Sequence, residues 1–210
     1  FSKLGATRTA VIYNGFDNYN STIELHDKFR IGHFGLFNQL RDHSEIWEAL
    51  NVNISKNKKF KEDLELYFSG PTHKNFHKNL KKYKLDSYLN YCEWNTQENM
   101  KQEMLKCSVL IVSQSDTQDV MGRLPAKFFE YLGTGIPIIA IGRKNSDLSK
   151  IVSKYQCGFF LEFNKLNKLS SCLLNYDKYL QNEGTLKSNH VDIFSWKNQA
   201  SNLVDLLKNL

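Results

Sequence analysis

Long apolar runs are missing from this sequence. Hydrophobic residues make up 41% of the 210 residues, but no stretch approaches the ~20 consecutive apolar residues that a membrane-spanning helix needs. A signal peptide is also missing, and the chain begins at Phe1 rather than at methionine, as a fragment of a longer protein would. With 24% charged residues, the composition is that of a globular protein in water. We expect it in the cytoplasm, with the inner face of the membrane as an alternative location.

Motifs that would indicate a metal or redox site are scarce as well. None of the four cysteines lies close to another, which argues against a zinc knuckle or a redox pair and favours buried thiols in a reducing cytosol. His73 and His77 are four residues apart on a predicted helix, but their lysine-rich surroundings favour a solvated face over a metal pair. A dinucleotide-binding oxidoreductase would need Gly-x-Gly-x-x-Gly after its first strand, and GHFGLF at 32–37 does not supply it.

Acidic charge is in short supply. The chain has 28 Lys and Arg against 22 Asp and Glu, a net charge of +6, and basic residues cluster at 55–61 and 74–84. Neither cluster forms a recognised nucleic-acid module or alternates with stacking aromatics, so we expect no nucleic acid partner. Solvated helix faces, attraction to an anionic membrane surface, and attraction to an anionic substrate remain open explanations.

Short apolar strands alternate with helical patterns along the chain. The strands are predicted near 29–35, 64–70, 88–93, 108–114, 136–142 and 157–163, and the helices near 43–51, 72–84, 96–106, 124–133, 145–155, 166–181 and 195–209. Apolar strands that are each followed by a helix predict an α/β fold, a Rossmann-like doubly wound parallel sheet with helices on both faces. In such a sheet, ligands bind at the carboxyl ends of the strands.

The helix predicted around 123–135 combines an apolar face with charged residues. Lys127, Glu130 and Thr134 form a second stripe at positions i, i+3 and i+7. Because the helix follows the strand at 108–114, its free N–H groups point into the ligand crevice, where they suit a phosphate. Pro125 is well placed in the first turn of such a helix.

The spacing P-x-K-x-x-E-Y-x-x-x-G-x-P, from Pro125 to Pro137, resembles the donor-binding helix of retaining glycosyltransferases of the GT-B fold, group 1 or family 4-like. Three further stretches resemble the same family in order: 11–17 its entry into the C-terminal domain, 32–42 its first glycine-rich loop, and 196–207 its closing helix. The resemblance covers nearly the whole chain, but only the C-terminal half of such an enzyme.

The resemblance implies a division of the chain. Residues 1–17 would be the end of the N-terminal domain or a linker, and 18–194 the nucleotide-sugar-binding domain. Residues 195–210 would form a helix that packs back on this domain or towards an N-terminal acceptor-binding domain, which is missing from this chain.

The resemblance also implies the activity. A sugar of hexosyl type would move from a nucleotide-diphosphate sugar, with UDP or GDP, to an acceptor hydroxyl in polysaccharide or lipid-linked glycan synthesis. Its anomeric configuration would be retained. No cofactor and no metal are implied, and the fragment alone would bind nucleotide weakly and transfer nothing.

Site residues follow from the resemblance one by one. Glu130 matches the glutamate that hydrogen-bonds the ribose hydroxyls, which a carboxylate can accept as a pair. Arg41, six residues after Gly35, matches the basic residue that holds the diphosphate. Gly35 lets the backbone approach the ligand closely. Lys127 either adds charge at the diphosphate or pairs with Glu130.

Gly122 departs from the family pattern. Many relatives carry two glutamates with seven residues between them, and the first would fall at Gly122, which lies near the phosphate-facing loop but has no carboxylate. The contact with the transferred sugar is then lost or moves to Asp116 or Asp119. These two aspartates are three residues apart, and no Asp-x-Asp pair is present, so a metal is not expected.

One further position departs from the family pattern, and two others could contact the ligand. Leu36 stands where an arginine usually follows the loop glycine, so the site lacks one cation, which Lys127 or Arg123 could replace. Trp94 would pack on the base or else belong to the core. Ser113, at the end of its strand, could reach a phosphate.

Two other functions remain open. A UDP-sugar 2-epimerase shares the GT-B architecture but would need acid and base groups flanking the sugar, and His33 suits packing better than general base catalysis. A non-catalytic nucleotide-sugar-binding subunit of a split glycosyltransferase is the second alternative.

Overall fold

Six parallel strands form the sheet in the part of the chain that the computed structural model describes, namely Gly5, 9–17, 26–173, Tyr176 and 191–208. The strands are β1 (Phe29–Phe34), β2 (Leu64–Ser69), β3 (Leu89–Cys92), β4 (Val109–Ser113), β5 (Ile138–Gly142) and β6 (Gly158–Glu162). Their order is β3-β2-β1-β4-β5-β6, which is doubly wound and has its switch point between β1 and β4. The predicted α/β Rossmann-like class is confirmed.

Helices connect successive strands along the chain, and the last two helices follow β6. The helices are α1 (Ser44–Lys56), α2 (Lys58–Asp63), α3 (Phe76–Lys82), α4 (Gln97–Leu105), α5 (Ala126–Thr134), α6 (Asp147–Tyr155), α7 (Lys168–Cys172) and α8 (Trp196–Lys208). Short 3₁₀ turns add Gln39–Arg41, Asp86–Tyr88, Gln118–Gly122, Phe163–Lys165 and Val191–Phe194. None of the described helices is both long enough and apolar enough to cross a membrane.

The helices differ from the prediction in three places. The helix predicted from 72 begins at Phe76, because Thr72 forms a β-bridge with Phe37 and keeps that segment extended. α2 was not predicted, since its six residues bury only Phe60 and show no periodicity. The helix predicted over 166–181 is present as α7, but 174–175 and 177–181 lie outside the described residues.

Apolar side chains cover both faces of the sheet. One buried cluster joins alternate strand residues to α1, α2, α3 and α7, with Trp47, Phe68 and Phe76 among its largest members. The second joins the remaining strand residues to α4, α5 and α6, with Phe128 and Phe129 at its centre. Because both faces are buried, every residue of β1, β4 and β5 is buried as well.

The two loops that follow β1 and β2 touch through their backbones. The N–H of Gly35 donates to the carbonyl of Ser69 at 2.6 Å. A Cβ on Gly70 would lie 2.8 Å from the backbone of Gly35, closer than real contacts allow. Glycine at 70 therefore permits the loop after β1 to lie against the end of β2.

The segment 9–17 packs beside α8. Phe16 forms a β-bridge with Ser195, and the N–H of Trp196 donates to the carbonyl of Phe16 at 3.0 Å. Further along α8, Leu203 and Leu207 are 46% and 60% exposed, so the predicted apolar stripe is left open after the first turn. The division of the chain at 17 and 194 stays a prediction.

Candidate functional site

The loop after β1 is built around a buried phenylalanine. Gly35 turns the chain with a φ of 86°, a left-handed conformation that side chains disfavour. The N–H of Phe37 donates to the carbonyl of Pro71 at 2.9 Å, and the carbonyl of Phe37 accepts from the N–H of His73 at 3.1 Å. The loop is thus fastened to the segment after β2, and it holds Arg41 at the carboxyl ends of the strands.

Two cations meet at the backbone of this loop. Nη1 of Arg41 donates to the carbonyl oxygen of Leu36 at 2.8 Å, and Nζ of Lys127 lies 3.5 Å from the same oxygen. Arg41 comes from the 3₁₀ turn after β1, whereas Lys127 lies in the first turn of α5. The fold therefore brings together two residues that the sequence predicted as partners at the diphosphate.

The imidazole of His33 lies directly beside Lys127. Nζ of Lys127 is 3.0 Å from Nε2 of His33, and the histidine is only 1% exposed. Burial, and then the charges of Lys127 and Arg41, hold the pKa of His33 well below its ordinary value. The ring is therefore neutral near pH 7, and its Nε2 can accept a hydrogen bond from the lysine.

The ammonium of Lys127 is itself destabilised. Burial is the main cause and the nearby charge of Arg41 the second, and together they lower the pKa of Lys127 to about 7, with Glu130 acting in the opposite direction. Burial and the charge of Arg123 also lower the pKa of Arg41. A positive charge is therefore unfavourable on both side chains in the free protein.

Glu130 lies one turn after Lys127 on α5 and is exposed. The Nζ of Lys127 is directed to His33 and Leu36, rather than into a close ion pair with Glu130. The Glu130 carboxylate is thus open to solvent on the same side of α5. No side-chain hydrogen bond caps the amino end of this helix, and Pro125 directly precedes its first residue, Ala126.

Several buried polar atoms at this edge of the sheet have no hydrogen-bond partner among the described residues. Within the described ranges, six buried side-chain atoms lack a hydrogen-bond partner: His33 Nδ1, Asn38 Oδ1, Arg41 Nε, Ser69 Oγ, His73 Nδ1 and Gln114 Oε1. All six belong to the carboxyl ends of β1, β2 and β4 or to the loops that follow them. Buried polar atoms normally have partners, so this concentration indicates where a polar ligand or water would bind.

Asp42 has a role that the sequence did not predict. Its buried carboxylate accepts hydrogen bonds from Trp47, from His73 at 2.6 Å and from Asn79 at 2.7 Å. These donors come from α1, from the loop after β2 and from α3. Since Asp42 follows Arg41 directly, the network fixes the position of the arginine. No local motif indicates it, because His73 and Asn79 are distant in sequence.

The remaining predicted site residues occupy varied environments. Trp94 follows β3, which lies two strands away from β1 in the sheet, and is 77% exposed. Ser113 is buried and its hydroxyl donates to the carbonyl of Gln114 at 3.2 Å. Gly122 is exposed, and a Cβ there would find its nearest neighbour, a carboxylate oxygen of Asp147, at 3.8 Å. Their roles stay predictions.

The aspartates considered as substitutes for a glutamate at 122 are both paired with arginines. Asp116 accepts a hydrogen bond from Arg143 at 2.8 Å. Asp119 is paired with Arg123, and its pKa is lowered by a hydrogen bond from Thr117 and by the arginine. Both pairs are exposed, so a ligand could still compete for either carboxylate.

Solved glycosyltransferase structures share this fold. TarM matches with a TM-score of 0.63 at 13% identity, over 94% of this chain and 37% of its own. The lipopolysaccharide outer core galactosyltransferase WaaB matches with a TM-score of 0.58 at 14% identity, over 96% of this chain and 56% of its own. The chain therefore spans between about a third and just over half of these two proteins.

An isolated domain matches over almost its full length. The C-terminal domain of a group 1 family glycosyltransferase, LpcC from Francisella tularensis, has a TM-score of 0.56 at 14% identity, over 90% of this chain and 95% of that domain. No protein-family model and no curated protein sequence matches the chain. The chain has the fold of the C-terminal domain of GT-B glycosyltransferases, as the sequence motifs predicted.

Proposed function

We propose that this chain is the donor-binding half of a retaining glycosyltransferase and that it binds the diphosphate of a nucleotide-diphosphate sugar. The convergence of Arg41 and Lys127 on the carbonyl of Leu36 is the observation that supports this most strongly. The hydrogen bonds of both cations go to Leu36 and His33, and none goes to a carboxylate of the described residues. An anion with several oxygens would complete this arrangement.

The two cations suit different parts of a diphosphate. The planar guanidinium of Arg41 can donate to two phosphate oxygens at once, whereas Lys127 supplies a compact charge. The amino end of α5, which no side chain caps, adds free N–H groups on the same side. Glycine at position 35 leaves space beside Lys127, since a Cβ there would lie 3.4 Å from Nζ of that lysine.

The rest of the donor would extend from this point in two directions. Glu130 is exposed one turn along α5 and would accept hydrogen bonds from the ribose hydroxyls. Exposed Trp94 would pack on the base. The transferred sugar would face Gly122, while Ser113 would have to rotate its hydroxyl away from Gln114 to reach a phosphate.

Transfer would proceed by stabilising the leaving group. As the bond between sugar and diphosphate breaks, negative charge grows on the diphosphate, and Arg41 and Lys127 stabilise it from fixed positions. The acceptor hydroxyl and its binding groups would come from an acceptor-binding half outside these 210 residues. We therefore expect this chain alone to bind a donor and to transfer nothing.

The wider context is part of the same proposal. Residues 1–17 and 195–210 would join the two halves, and the open apolar stripe of α8 would contact the acceptor half. The likeness to WaaB, named as a lipopolysaccharide outer core galactosyltransferase, supports a polysaccharide or lipid-linked glycan product. We propose in addition that the product is made in the cytoplasm, at the inner face of the membrane.

A calorimetric screen of UDP-glucose, GDP-mannose, ADP-glucose and dTDP-glucose tests the proposal. We expect one of the four to bind, and Arg41→Ala to weaken it about tenfold to a hundredfold, the effect of losing ~1.5–3 kcal/mol of charged hydrogen bonding. Glu130→Ala should also weaken it. Glu48→Ala, which removes an exposed carboxylate from α1, is the matched control. Failure of all four donors to bind would refute the proposal.

A further inference from the structure

The imidazole of His33 is held rigidly by aromatic rings. It stacks on Phe68 with ring centroids 5.2 Å apart and meets the edge of Phe37 at 4.9 Å. β1 supplies the backbone of His33, and every residue of that strand is buried. The ring therefore has little freedom to turn, and its Nε2 stays directed at Nζ of Lys127, 3.0 Å away.

The tautomer of His33 follows from its surroundings. A neutral imidazole carries one N–H, and Nε2 must accept whenever Lys127 is an ammonium, because an ammonium can only donate. The proton then lies on Nδ1, which is buried and without a hydrogen-bond partner in the described part of the molecule. A doubly protonated ring would face two cations, Lys127 and Arg41, and is excluded near pH 7.

Every charged group around Lys127 can be named. His33 faces it from β1, Arg41 from the loop after β1, and Glu130 from its own helix α5. Arg123 precedes α5 and acts on Arg41, and so does the hydroxyl of Tyr131, which accepts from the N–H of Phe34. Glu130, the carboxylate that acts on Lys127, is exposed, so a charged amine at 127 is poorly compensated until an anion arrives.

We propose that His33 is a positioning residue that holds the Lys127 amine at the diphosphate site, and that Lys127 takes up one proton from solvent when a nucleotide-diphosphate sugar binds. The inference rests on the proposed function. In this step the neutral amine of Lys127 binds one proton and becomes an ammonium, so one N–H bond forms. The proton comes from water or buffer, because the two phosphates of such a donor are already ionised near pH 7, and His33 stays neutral throughout.

The uptake predicts a pH dependence of binding. Lys127 has a pKa of about 7 in the free protein and is therefore ~90% neutral at pH 8. The negative charge of a bound diphosphate would raise the pKa of Lys127, so the lysine becomes fully protonated in the complex. About 0.9 protons should then be taken up per donor bound at pH 8, and affinity should fall by nearly tenfold for each pH unit above 8. Below pH 6 the dependence should disappear.

Calorimetry at pH 8 in buffers of low and high ionisation enthalpy measures the uptake directly, using the donor that binds among UDP-glucose, GDP-mannose, ADP-glucose and dTDP-glucose. We expect about 0.9 protons for the natural chain. Lys127→Arg is permanently charged, so it should bind the donor with an uptake near zero. Lys154→Arg, an exposed position on α6, should leave the uptake unchanged.

Two substitutions test the positioning role of His33. His33→Gln keeps an acceptor in place of Nε2 and should retain the proton uptake and most of the affinity. His33→Leu fills the space without an acceptor. It should weaken the binding of the nucleotide-diphosphate sugar about tenfold, which is the effect of losing one charge-assisted hydrogen bond. A purely structural role would lower the melting temperature of both variants without separating their affinities or their pH profiles.

The outcomes distinguish the two proposals. Donor binding by the natural chain without proton uptake at pH 8, or unchanged uptake in Lys127→Arg, would overturn this inference and leave the donor-binding function standing. Equal affinities for His33→Leu and His33→Gln would remove the positioning role. Binding of none of the four donors would overturn the proposed function and this inference with it.

Discussion

The buried carboxylate of Asp42 accepts a 2.6 Å hydrogen bond from Nε2 of His73, and this bond joins the loop after β1 to the loop after β2. Trp47 and Asn79 donate to the same carboxylate from α1 and α3. The residue next to Arg41 is thus held both by the neighbouring helix α1 and by His73 and Asn79, which are distant in sequence, and the arginine takes its position from them.

Removing this carboxylate should destabilise the fold. Asp42→Ala leaves three buried donors without their acceptor, and we expect a loss of ~3 kcal/mol in the free energy of unfolding. Urea denaturation measures it, and Glu48→Ala on the exposed face of α1 should change stability by less than ~0.5 kcal/mol. Equal stabilities of the two variants would mean that the network contributes nothing.

Lys127 should reduce stability near neutral pH. Its pKa is about 7 in the folded chain, below its ordinary value of 10.5, so between these pH values the unfolded chain binds more protons. The reduction that Lys127 causes in the free energy of unfolding is fully present below pH 7 and disappears as the pH rises towards 10.5. Lys127→Met should therefore be more stable than the natural chain at pH 6.5, by ~1–3 kcal/mol, with the gain shrinking by pH 9.5.

Denaturation by urea at both pH values tests this sign. Lys154→Met, on the exposed face of α6, serves as the control and should show no such gain. A Lys127→Met variant that is less stable than the natural chain at pH 6.5 would show that the ammonium stabilises the fold, contrary to its burial beside Arg41.

Two glycines near the site should respond differently to alanine. Gly35 has a φ of 86°, so Gly35→Ala should cost ~1–2 kcal/mol of stability, and the new Cβ, 3.4 Å from Nζ of Lys127, should weaken donor binding. Gly122 has open space around it, and Gly122→Ala should stay within ~0.5 kcal/mol. Thermal unfolding compares the two; matching melting temperatures would argue against strain at 35.

The apolar stripe of α8 should matter little to this chain by itself. Leu207 is 60% exposed, and Leu207→Ser should change stability by less than ~0.5 kcal/mol. Phe194 is buried just before α8 begins, and its replacement by alanine should cost ~3–5 kcal/mol of stability. A large loss in Leu207→Ser would show that the stripe is already covered.

The strands and the site helix could be predicted from local sequence patterns. Parallel strands are buried on both faces and read as continuous apolar runs, so VLIVS at 109–113 and IIAIG at 138–142 could be recognised without any partner. α5 is bounded by local signals as well: Pro125 precedes it and Gly135 ends it with a φ of 71°. The stripe formed by Lys127 and Glu130 could also be recognised from local spacing, because both residues lie on this one helix.

The contacts that these side chains make depend instead on how the elements pack together. The inward turn of Asp42, the shared carbonyl of Leu36, and the contact between His33 and Lys127 depend on packing between segments that are distant in the chain. Sequence periodicity reports which face of an element is buried, because burial acts on each element separately. Hydrogen bonds and charge pairs act between elements, and they are fixed only when α5 has packed beside β1.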